Sequence, residues 1–184
     1  MHLPNWYTNI GDQLMDLKQY IRSVPNWPIE GVMFRDITTL LQHPEAFRYV
    51  CDELTSRYKE KKIDAVVGIE ARGFIFGSVL AYNLGCSFVP IRKPGKLPGK
   101  TISEEYELEY GKNTLEIHED AIEENQNIVI IDDLLATGGS LKAAINLEEK
   151  LKGNIVECAI VIELPELKGR EKLGKHKIFK LIEF

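Results

Sequence analysis

The segment from Asn127 to Ser140 places a buried strand, two carboxylates, a loop of small residues and the start of a helix in direct succession. Ile128 to Ile131 is an apolar, β-branched run, which is typical of a central strand in a parallel sheet. After the loop, apolar residues recur at helical spacing. They are Leu141, Ala144, Ile145 and Leu151. A strand that leads into a helix through a short loop is the repeating unit of α/β folds, so this segment constrains the fold class of the chain.

The loop between this strand and helix has the composition of an anion site. It consists of Ala136, Thr137, Gly138, Gly139 and Ser140. Backbone N–H groups, two hydroxyls and the positive end of the helix dipole can converge there on one phosphate.

The two carboxylates before the loop, Asp132 and Asp133, would repel that phosphate. They suit the neutral hydroxyls of a sugar, or a hard cation such as Mg²⁺ beside it. A phosphate site next to a diol site matches ribose 5-phosphate.

The remaining hydrophobic periodicity predicts helices and strands in alternation. An amphipathic helix is marked by Leu14, Leu17 and Ile21 and should end before Pro25. Further predicted elements are a helix from about Pro44, a strand at 65–69, a helix at 73–84, and strands at 88–91 and 156–162. The residues predicted to face inward on the helix after Pro44 are Phe47, Val50, Cys51, Leu54 and Tyr58. This order implies a mainly parallel sheet with helices on both faces and ligands at the carboxyl ends of the strands. Residues 92–112 are rich in Gly, Pro and charge, and form the candidate mobile loop.

Composition narrows the classes of protein. The 184 residues, 44% hydrophobic and 28% charged, suit a single globular domain. A net charge of −5 argues against nucleic-acid and acidic-membrane partners. The chain has three scattered cysteines, no histidines at metal-ligand spacing and no apolar run of membrane-spanning length. We expect a cytoplasmic protein with free thiols.

Two further segments suit a polyphosphate. Glu70, Ala71 and Arg72 lie between a predicted strand and a predicted helix, which offers backbone N–H groups and a guanidinium. The next strand is followed by a proline-stiffened loop with four cations, which suits a pyrophosphate. The cations are Arg92, Lys93, Lys96 and Lys100.

The strand, the Asp-Asp pair and the Thr-Gly-Gly-Ser turn together resemble the phosphoribosyl-diphosphate (PRPP) motif of the type I phosphoribosyltransferases. Other segments narrow the resemblance to the adenine phosphoribosyltransferases, from about Val24 to nearly the C-terminus. These segments are residues 31–37, 72–77, 92–99, 108–112 and 167–173. The resemblance implies one phosphoribosyltransferase domain over 1–184. Residues 1–10 are an extension of it, and residues from about 24 to 42 contribute to a hood over the base, beside a mobile active-site loop.

The resemblance also assigns roles around PRPP. The loop Ala136, Thr137, Gly138, Gly139 and Ser140 holds the 5-phosphate, and Asp132 and Asp133 hold the ribose hydroxyls. Arg72, Arg92, Lys93 and Lys96 bind pyrophosphate, together with the backbone of Glu70 and Ala71. The peptide between Glu70 and Ala71 is expected to be cis. Residues 168–172 are expected to form a solvated turn without a chemical role.

For the base, the resemblance places adenine against Phe34 and Leu134. Met33 reads its edge through backbone groups, and Arg35 and Leu164 close the pocket. On the mobile loop, Glu109 matches the residue that transfers a proton at N7 of adenine, with Tyr110 beside it.

The implied reaction is adenine plus PRPP giving AMP and pyrophosphate, with Mg²⁺ as cofactor and a homodimer as the assembly. The residues that would ligate the metal are not identified by the sequence. Two alternatives stay open. One is a sister enzyme for xanthine or hypoxanthine, and the other is a regulatory protein that senses PRPP. Residues 108–112 and the loop after Ile91 favour adenine, and the acidic single domain lacks the basic face of a typical regulator.

Overall fold

A computed structural model describes residues 15–107 and 111–184 of the chain. It divides into two compact units, Met1–Tyr49 and Val50–Phe184. The single-domain organisation stays a prediction. The extension at 1–10 lies outside the described residues.

The first unit contains a 3₁₀ turn at Leu17–Tyr20, strand β1 (Arg22–Pro25), strand β2 (Met33–Asp36) and the short helix α1 (Thr38–Leu41). The predicted amphipathic helix is wrong, because Ile21 is already extended and β1 follows it. Leu14 lies outside the described residues. β1 pairs antiparallel with β2, and the Arg22 Nε donates a hydrogen bond to Asp36 at 3.1 Å across the pair. The helical pattern had only three apolar positions, so the strand pairing outweighs the weak preference of this segment for a helix.

Helix α2 (Pro44–Tyr58) begins at the predicted proline. The side chains predicted to face inward at Val50, Cys51, Leu54 and Tyr58 are buried. Phe47, the fifth of that set, is half-buried.

The second unit then runs through β3 (Ala65–Ile69), α3 (Arg72–Leu84), β4 (Ser87–Ile91), β5 (Thr101–Glu107), β6 (Lys112–His118), β7 (Asn127–Leu135), α4 (Gly139–Lys150), β8 (Asn154–Glu163) and β9 (Ile178–Glu183). In the described part of the chain, five of these strands form one parallel sheet in the order β4-β3-β7-β8-β9. The predicted mainly parallel α/β architecture is confirmed.

Alternation along β3 sends its side chains to opposite faces of the sheet. Val67 and Ile69 join the core cluster that contains the buried face of α4. Gly68 faces α3, where a Cβ atom would lie 3.2 Å from the Phe74 ring and 2.8 Å from the Phe88 ring. The two helices therefore cover opposite faces.

The candidate mobile loop at 92–112 is only partly a loop. β5 pairs antiparallel with β6, and the bridge from Arg92 to Glu116 joins the start of the segment to the same hairpin. The strand at 101–107 was not predicted, because polar side chains on both faces of β5 gave no alternation to recognise. Residues 108–110 lie outside the described residues.

Within the described residues, no helix has the length and apolar character needed to cross a bilayer. The three cysteines are free thiols, as expected.

The core contains one carboxylic acid that the fold does not pair. Glu148 on α4 is fully buried, and neither carboxyl oxygen has a hydrogen-bond partner among the described residues. A Cβ atom on Gly153 would lie 3.3 Å from one of these oxygens. Burial raises the pKa of the Glu148 carboxyl from 4.5 to about 8. At neutral pH the folded protein therefore keeps this group protonated, at a cost that the unfolded chain does not bear.

We predict that Glu148→Gln stabilises the protein progressively as pH rises. Below pH 4.5 the Glu148 carboxyl is protonated in both the folded and the unfolded state, so it costs the wild-type protein no stability. As pH rises toward about 8, the unfolded chain loses this proton and the folded protein keeps it, so the free energy of unfolding falls. The advantage of Glu148→Gln should grow by about 5 kcal/mol across this window and then level off. Urea denaturation at several pH values measures it, with the exposed Glu60→Gln as control. A pH-independent difference between Glu148→Gln and wild type would contradict the prediction.

Candidate active site

A cavity of ≈ 330 Å³ lies where β3 and β7 end. It gathers predicted site residues from three segments of the chain: Glu70, Ala71, Arg72, Lys93, Asp132, Asp133, Leu134, Ala136, Thr137, Gly138, Gly139 and Ser140. The roles of these residues stay predictions, but the structure brings them to one place.

Parallel pairing explains why two loops that are distant in sequence meet here. Ala65 lies opposite Ile128 and Gly68 opposite Ile131, so β3 and β7 reach the same edge together. Gly73 in the first turn of α3 allows a close approach at that edge. A Cβ atom there would lie 2.6 Å from the carbonyl oxygen of Ile131. The N-termini of α3 and α4 therefore both open onto the cavity.

The loop from Ala136 to Ser140, the phosphate loop, begins a helix without a side-chain cap among the described residues. Gly138 is the N-cap of α4 and has a φ of 79°, which a glycine adopts without strain. Its carbonyl accepts the N–H of Lys142 at 2.9 Å, so the helix starts directly. The orphan N–H groups of the first turn can then bind an anion.

The acidic pair beside the phosphate loop is almost completely buried. Asp133 accepts a hydrogen bond from Nε of Arg72, and the Asp132 carboxylate accepts the backbone N–H of Asp133 at 2.9 Å. Burial and, secondly, the charge of Asp133 raise the pKa of Asp132 well above its usual value. Hydroxyl donors or a cation next to the pair would favour the charged form of Asp132 again.

The second anion loop has the expected backbone, since the peptide between Glu70 and Ala71 is cis. The Glu70 carboxylate faces the loop after β4, accepting the N–H of Lys93 at 3.0 Å and Nε of Arg92 at 3.2 Å. Burial acts to raise the pKa of Glu70, but these hydrogen bonds outweigh it and lower the pKa. Glu70 thereby joins the two cationic segments.

Some predicted residues lie elsewhere. In the described part of the chain, Arg92, Lys96 and Leu164 do not line the cavity. Arg92 donates to Glu70 and to the carbonyl of Lys96 at 3.1 Å. Leu164 is buried after β8, with its N–H donated to the carbonyl of Leu135 at 2.9 Å.

Three of the predicted base-binding residues, Met33, Phe34 and Arg35, belong to the first unit. Met33 is exposed on β2, and the ring of Phe34 lies 4.3 Å from that of Trp27. Arg35 donates a hydrogen bond to the Ser23 hydroxyl. The predicted catalytic residues Glu109 and Tyr110 lie outside the described residues.

Sequence reasoning missed the contribution of the β5–β6 hairpin. Tyr106, Asn113 and Leu115 line the cavity. A Cβ atom on Gly139 would lie 2.9 Å from the ring of Tyr106 and 2.9 Å from the carbonyl oxygen of Glu107, so the hairpin rests on the phosphate loop. The aromatic residue in an otherwise polar strand was the one available signal.

The hairpin is attached to α4 through Glu104. Its carboxylate accepts hydrogen bonds from Lys150 Nζ at 2.6 Å and from the Asn146 amide at 2.7 Å. Lys150 and Asn146, in that order, lower the pKa of Glu104. The attachment fixes the strand that leads toward the predicted catalytic residues.

Comparison with known proteins gives one consistent family. Residues 36–184 match the model of the phosphoribosyl transferase domain. The chain is 60% identical over 170 residues to the adenine phosphoribosyltransferase of Desulfosudis oleivorans, covering 92% of this chain and 98% of the relative.

Solved structures agree. The adenine phosphoribosyltransferase of Thermoanaerobacter pseudethanolicus superposes with a TM-score of 0.88 at 49% identity, over 91% of this chain and 98% of the other. The enzyme of Saccharomyces cerevisiae, crystallised with adenine and an imino-altritol bisphosphate, gives 0.84 at 44% identity, over 90% and 96%.

We predict that Glu104→Ala loosens the hairpin without unfolding the protein. Loss of the contacts to Lys150 and Asn146 should increase amide hydrogen exchange in β5 and β6 by about fivefold, equivalent to ~1 kcal/mol for one partly exposed charged pair. Hydrogen exchange with mass spectrometry measures this.

The matched control is Glu105→Ala, whose ion pair with Lys112 at 2.6 Å stays within the hairpin and is exposed. Equal exchange in the two variants would show that Glu104 does not attach the hairpin to α4.

Proposed function

Because the chain belongs to the phosphoribosyltransferase family, and within it to the adenine phosphoribosyltransferases, we propose that it transfers the 5-phosphoribosyl group of PRPP to adenine, giving AMP and pyrophosphate. This is a reaction of purine salvage. The observation that carries the proposal is the cavity at the ends of β3 and β7, where an uncapped helix N-terminus, an acidic pair and a second anion loop meet.

Each part of this cavity suits one part of PRPP. The phosphate loop offers backbone N–H groups and the hydroxyls of Thr137 and Ser140 to the 5-phosphate. Asp132 and Asp133 accept hydrogen bonds from the ribose hydroxyls. Arg72 and Lys93 also line the cavity, and their positive charges neutralise the pyrophosphate.

Mg²⁺ is proposed as the cofactor. Among the described residues no group of three or more His, Cys, Asp or Glu side chains could hold a metal ion by itself. Mg²⁺ typically uses one or two carboxylates together with substrate phosphates and water, and the acidic pair fits that requirement. When bound, the ion would neutralise the charge that develops on the departing pyrophosphate.

The protein's own contribution is positional and electrostatic. Departure of pyrophosphate leaves positive charge on the ribose, which the buried carboxylates beside the sugar stabilise. The anion loops fix the ribose relative to the incoming base. No nucleophilic side chain is needed for this chemistry, and the lining of the described cavity holds no Ser-His-Asp or Cys-His set.

The base-binding roles remain proposals supported by the family resemblance. Adenine packs against Phe34 and Leu134, with Met33, Arg35 and Leu164 around its edge. Glu109, aided by Tyr110, handles the proton at N7. A homodimer and a cytosolic location are proposed on the same basis, and free thiols are in keeping with a reducing compartment.

Two other functions share parts of this cavity. A xanthine or hypoxanthine enzyme would use the same phosphate and ribose sites, and a PRPP-sensing regulator would bind PRPP without turnover. The relatives named for adenine favour the first proposal over both.

We predict that Asp132→Asn combined with Asp133→Asn weakens PRPP far more than adenine. The carboxylates face the ribose and the Mg²⁺, and loss of two charged hydrogen-bonding groups should cost about 100-fold or more in PRPP affinity. Calorimetry with each ligand measures the split. The control is Asp120→Asn with Glu123→Gln, which makes the same charge change at exposed positions. Equal losses for PRPP and adenine would mean that the acidic pair is structural.

The decisive test of function is a purine panel with PRPP and Mg²⁺. We expect the Met33 carbonyl to accept a hydrogen bond from the exocyclic amine of adenine. Hypoxanthine and guanine carry a carbonyl oxygen at that position, which cannot donate this hydrogen bond. Mismatched buried hydrogen bonds discriminate by on the order of 10⁴ in kcat/KM. A side-chain change such as Met33→Leu should leave this preference intact, since the reading group is main chain.

Turnover of hypoxanthine or guanine within about tenfold of adenine, a gap of ~1.4 kcal/mol, would overturn the adenine assignment. PRPP binding without turnover of any purine would favour the regulatory alternative.

A further inference from the structure

The turn at residues 165–173, here called the Gly169 turn, lies directly against the phosphate loop. A Cβ atom on Gly169 would lie 2.3 Å from the carbonyl oxygen of Ala136 and 3.0 Å from the backbone nitrogen of Gly138. Reciprocally, a Cβ atom on Gly138 would lie 2.5 Å from the carbonyl oxygen of Gly169. Two backbones are thus packed without side chains between them.

Gly169 does not have a left-handed backbone that would require glycine. Its φ lies outside the positive range that marks other glycines of the chain, such as Gly138 and Gly174. The close approach of Ala136 is therefore the reason for glycine at this position. Gly169 is also buried, although its neighbours Lys168 and Arg170 are exposed.

The Gly169 turn is fixed independently of the phosphate loop. The Arg170 guanidinium donates to both oxygens of the buried Glu163 carboxylate, at 2.5 and 2.8 Å. Leu173 at the end of the turn belongs to the hydrophobic core. The ion pair of Arg170 and the core side chain of Leu173, both just after Gly169 in the chain, hold the backbone of the turn in place.

We propose that the Gly169 turn positions the phosphate loop for the 5-phosphate, with Gly169 as the positioning residue and the Arg170–Glu163 pair as its anchor. The proposal rests on the proposed function, because it concerns the phosphoryl group of that substrate. The turn packs against the backbone of Ala136 and Gly138 and limits its movement. The N–H groups that precede α4 therefore keep one geometry when the 5-phosphate binds. A solvated turn without a role would not require glycine against a ligand loop.

The test measures the 5-phosphate and pyrophosphate sites separately on the full-length protein. Gly169→Ala forces the Ala136 carbonyl to move, and should weaken ribose 5-phosphate and AMP by about tenfold or more. Inorganic pyrophosphate is proposed to bind at the second anion loop, and its affinity should change by less than about twofold. Calorimetry gives all three affinities. In steady-state assays the KM for PRPP should rise more than kcat falls.

Gly153→Ala is the matched control, since its Cβ atom would lie 2.6 Å from the Ile122 side chain beyond the other end of α4. It introduces a close contact away from the cavity, with the end of a side chain rather than with backbone, and any effect on the 5-phosphate and pyrophosphate sites should be equal.

Arg170→Gln gives a second variant that adds no atom to the interface and remains informative if Gly169→Ala does not fold. This variant weakens the anchor, although Lys180 still lies 3.9 Å from Glu163. It should show the same selective loss of affinity for ribose 5-phosphate and AMP, but a smaller one. Equal loss of both anions in these variants, or no loss of ribose 5-phosphate, would overturn the positioning role. A wild-type protein that binds neither AMP nor pyrophosphate would instead overturn the proposed function.

Discussion

The parallel pairing of β3 with β7 brings the two anion loops and the acidic pair to one edge of the sheet. Because Gly68 lies opposite Ile131, the carboxyl ends of both strands lie toward the same edge of the sheet. β3 ends at Ile69 and β7 continues to Leu135, and each is followed by a loop and a helix N-terminus. Two sets of orphan backbone N–H groups therefore face one volume, which suits a ligand with phosphates at both ends of a sugar. A slip of the register would separate the anion loops from the acidic pair, because the side chains of β7 would exchange faces.

Bringing anion loops and carboxylates together has an energetic cost that the rest of the second unit must offset. Asp132 and Asp133 are buried side by side, and Arg72 donates a hydrogen bond to Asp133. Stability is supplied elsewhere, by the apolar sheet and by polar clusters whose members are satisfied. Glu157 on β8 accepts hydrogen bonds from Arg57 at 2.6 and 2.7 Å and from the Tyr58 hydroxyl at 2.8 Å, which fixes the end of α2.

The sequence predicted the parts of this fold whose signals are local. The β-branched run at Ile128–Ile131, the helical spacing after it and Pro44 at a helix start all depend on neighbouring residues, and the structure confirms them. Strands β5 and β9 were missed for different reasons. β5 lacks apolar alternation, and β9 is a short edge strand whose burial comes from β8. Tertiary pairing also replaced the predicted helix around Ile21 by a strand.

The same distinction applies to the site. Strand ends and Gly-rich loops can be located from composition, but a residue that acts through backbone packing leaves no such signal. Gly169 stands in a run of charged residues that is typical of a solvated turn, and only the folded chain shows the Ala136 carbonyl where its side chain would be. The phosphate loop is therefore held from two directions that its own sequence does not contain. The Gly169 turn lies behind Ala136 and Gly138, and Tyr106 of the hairpin lies over Gly139. A loop that must wrap a phosphate with main-chain groups cannot support itself with side chains, so its rigidity has to come from neighbouring segments.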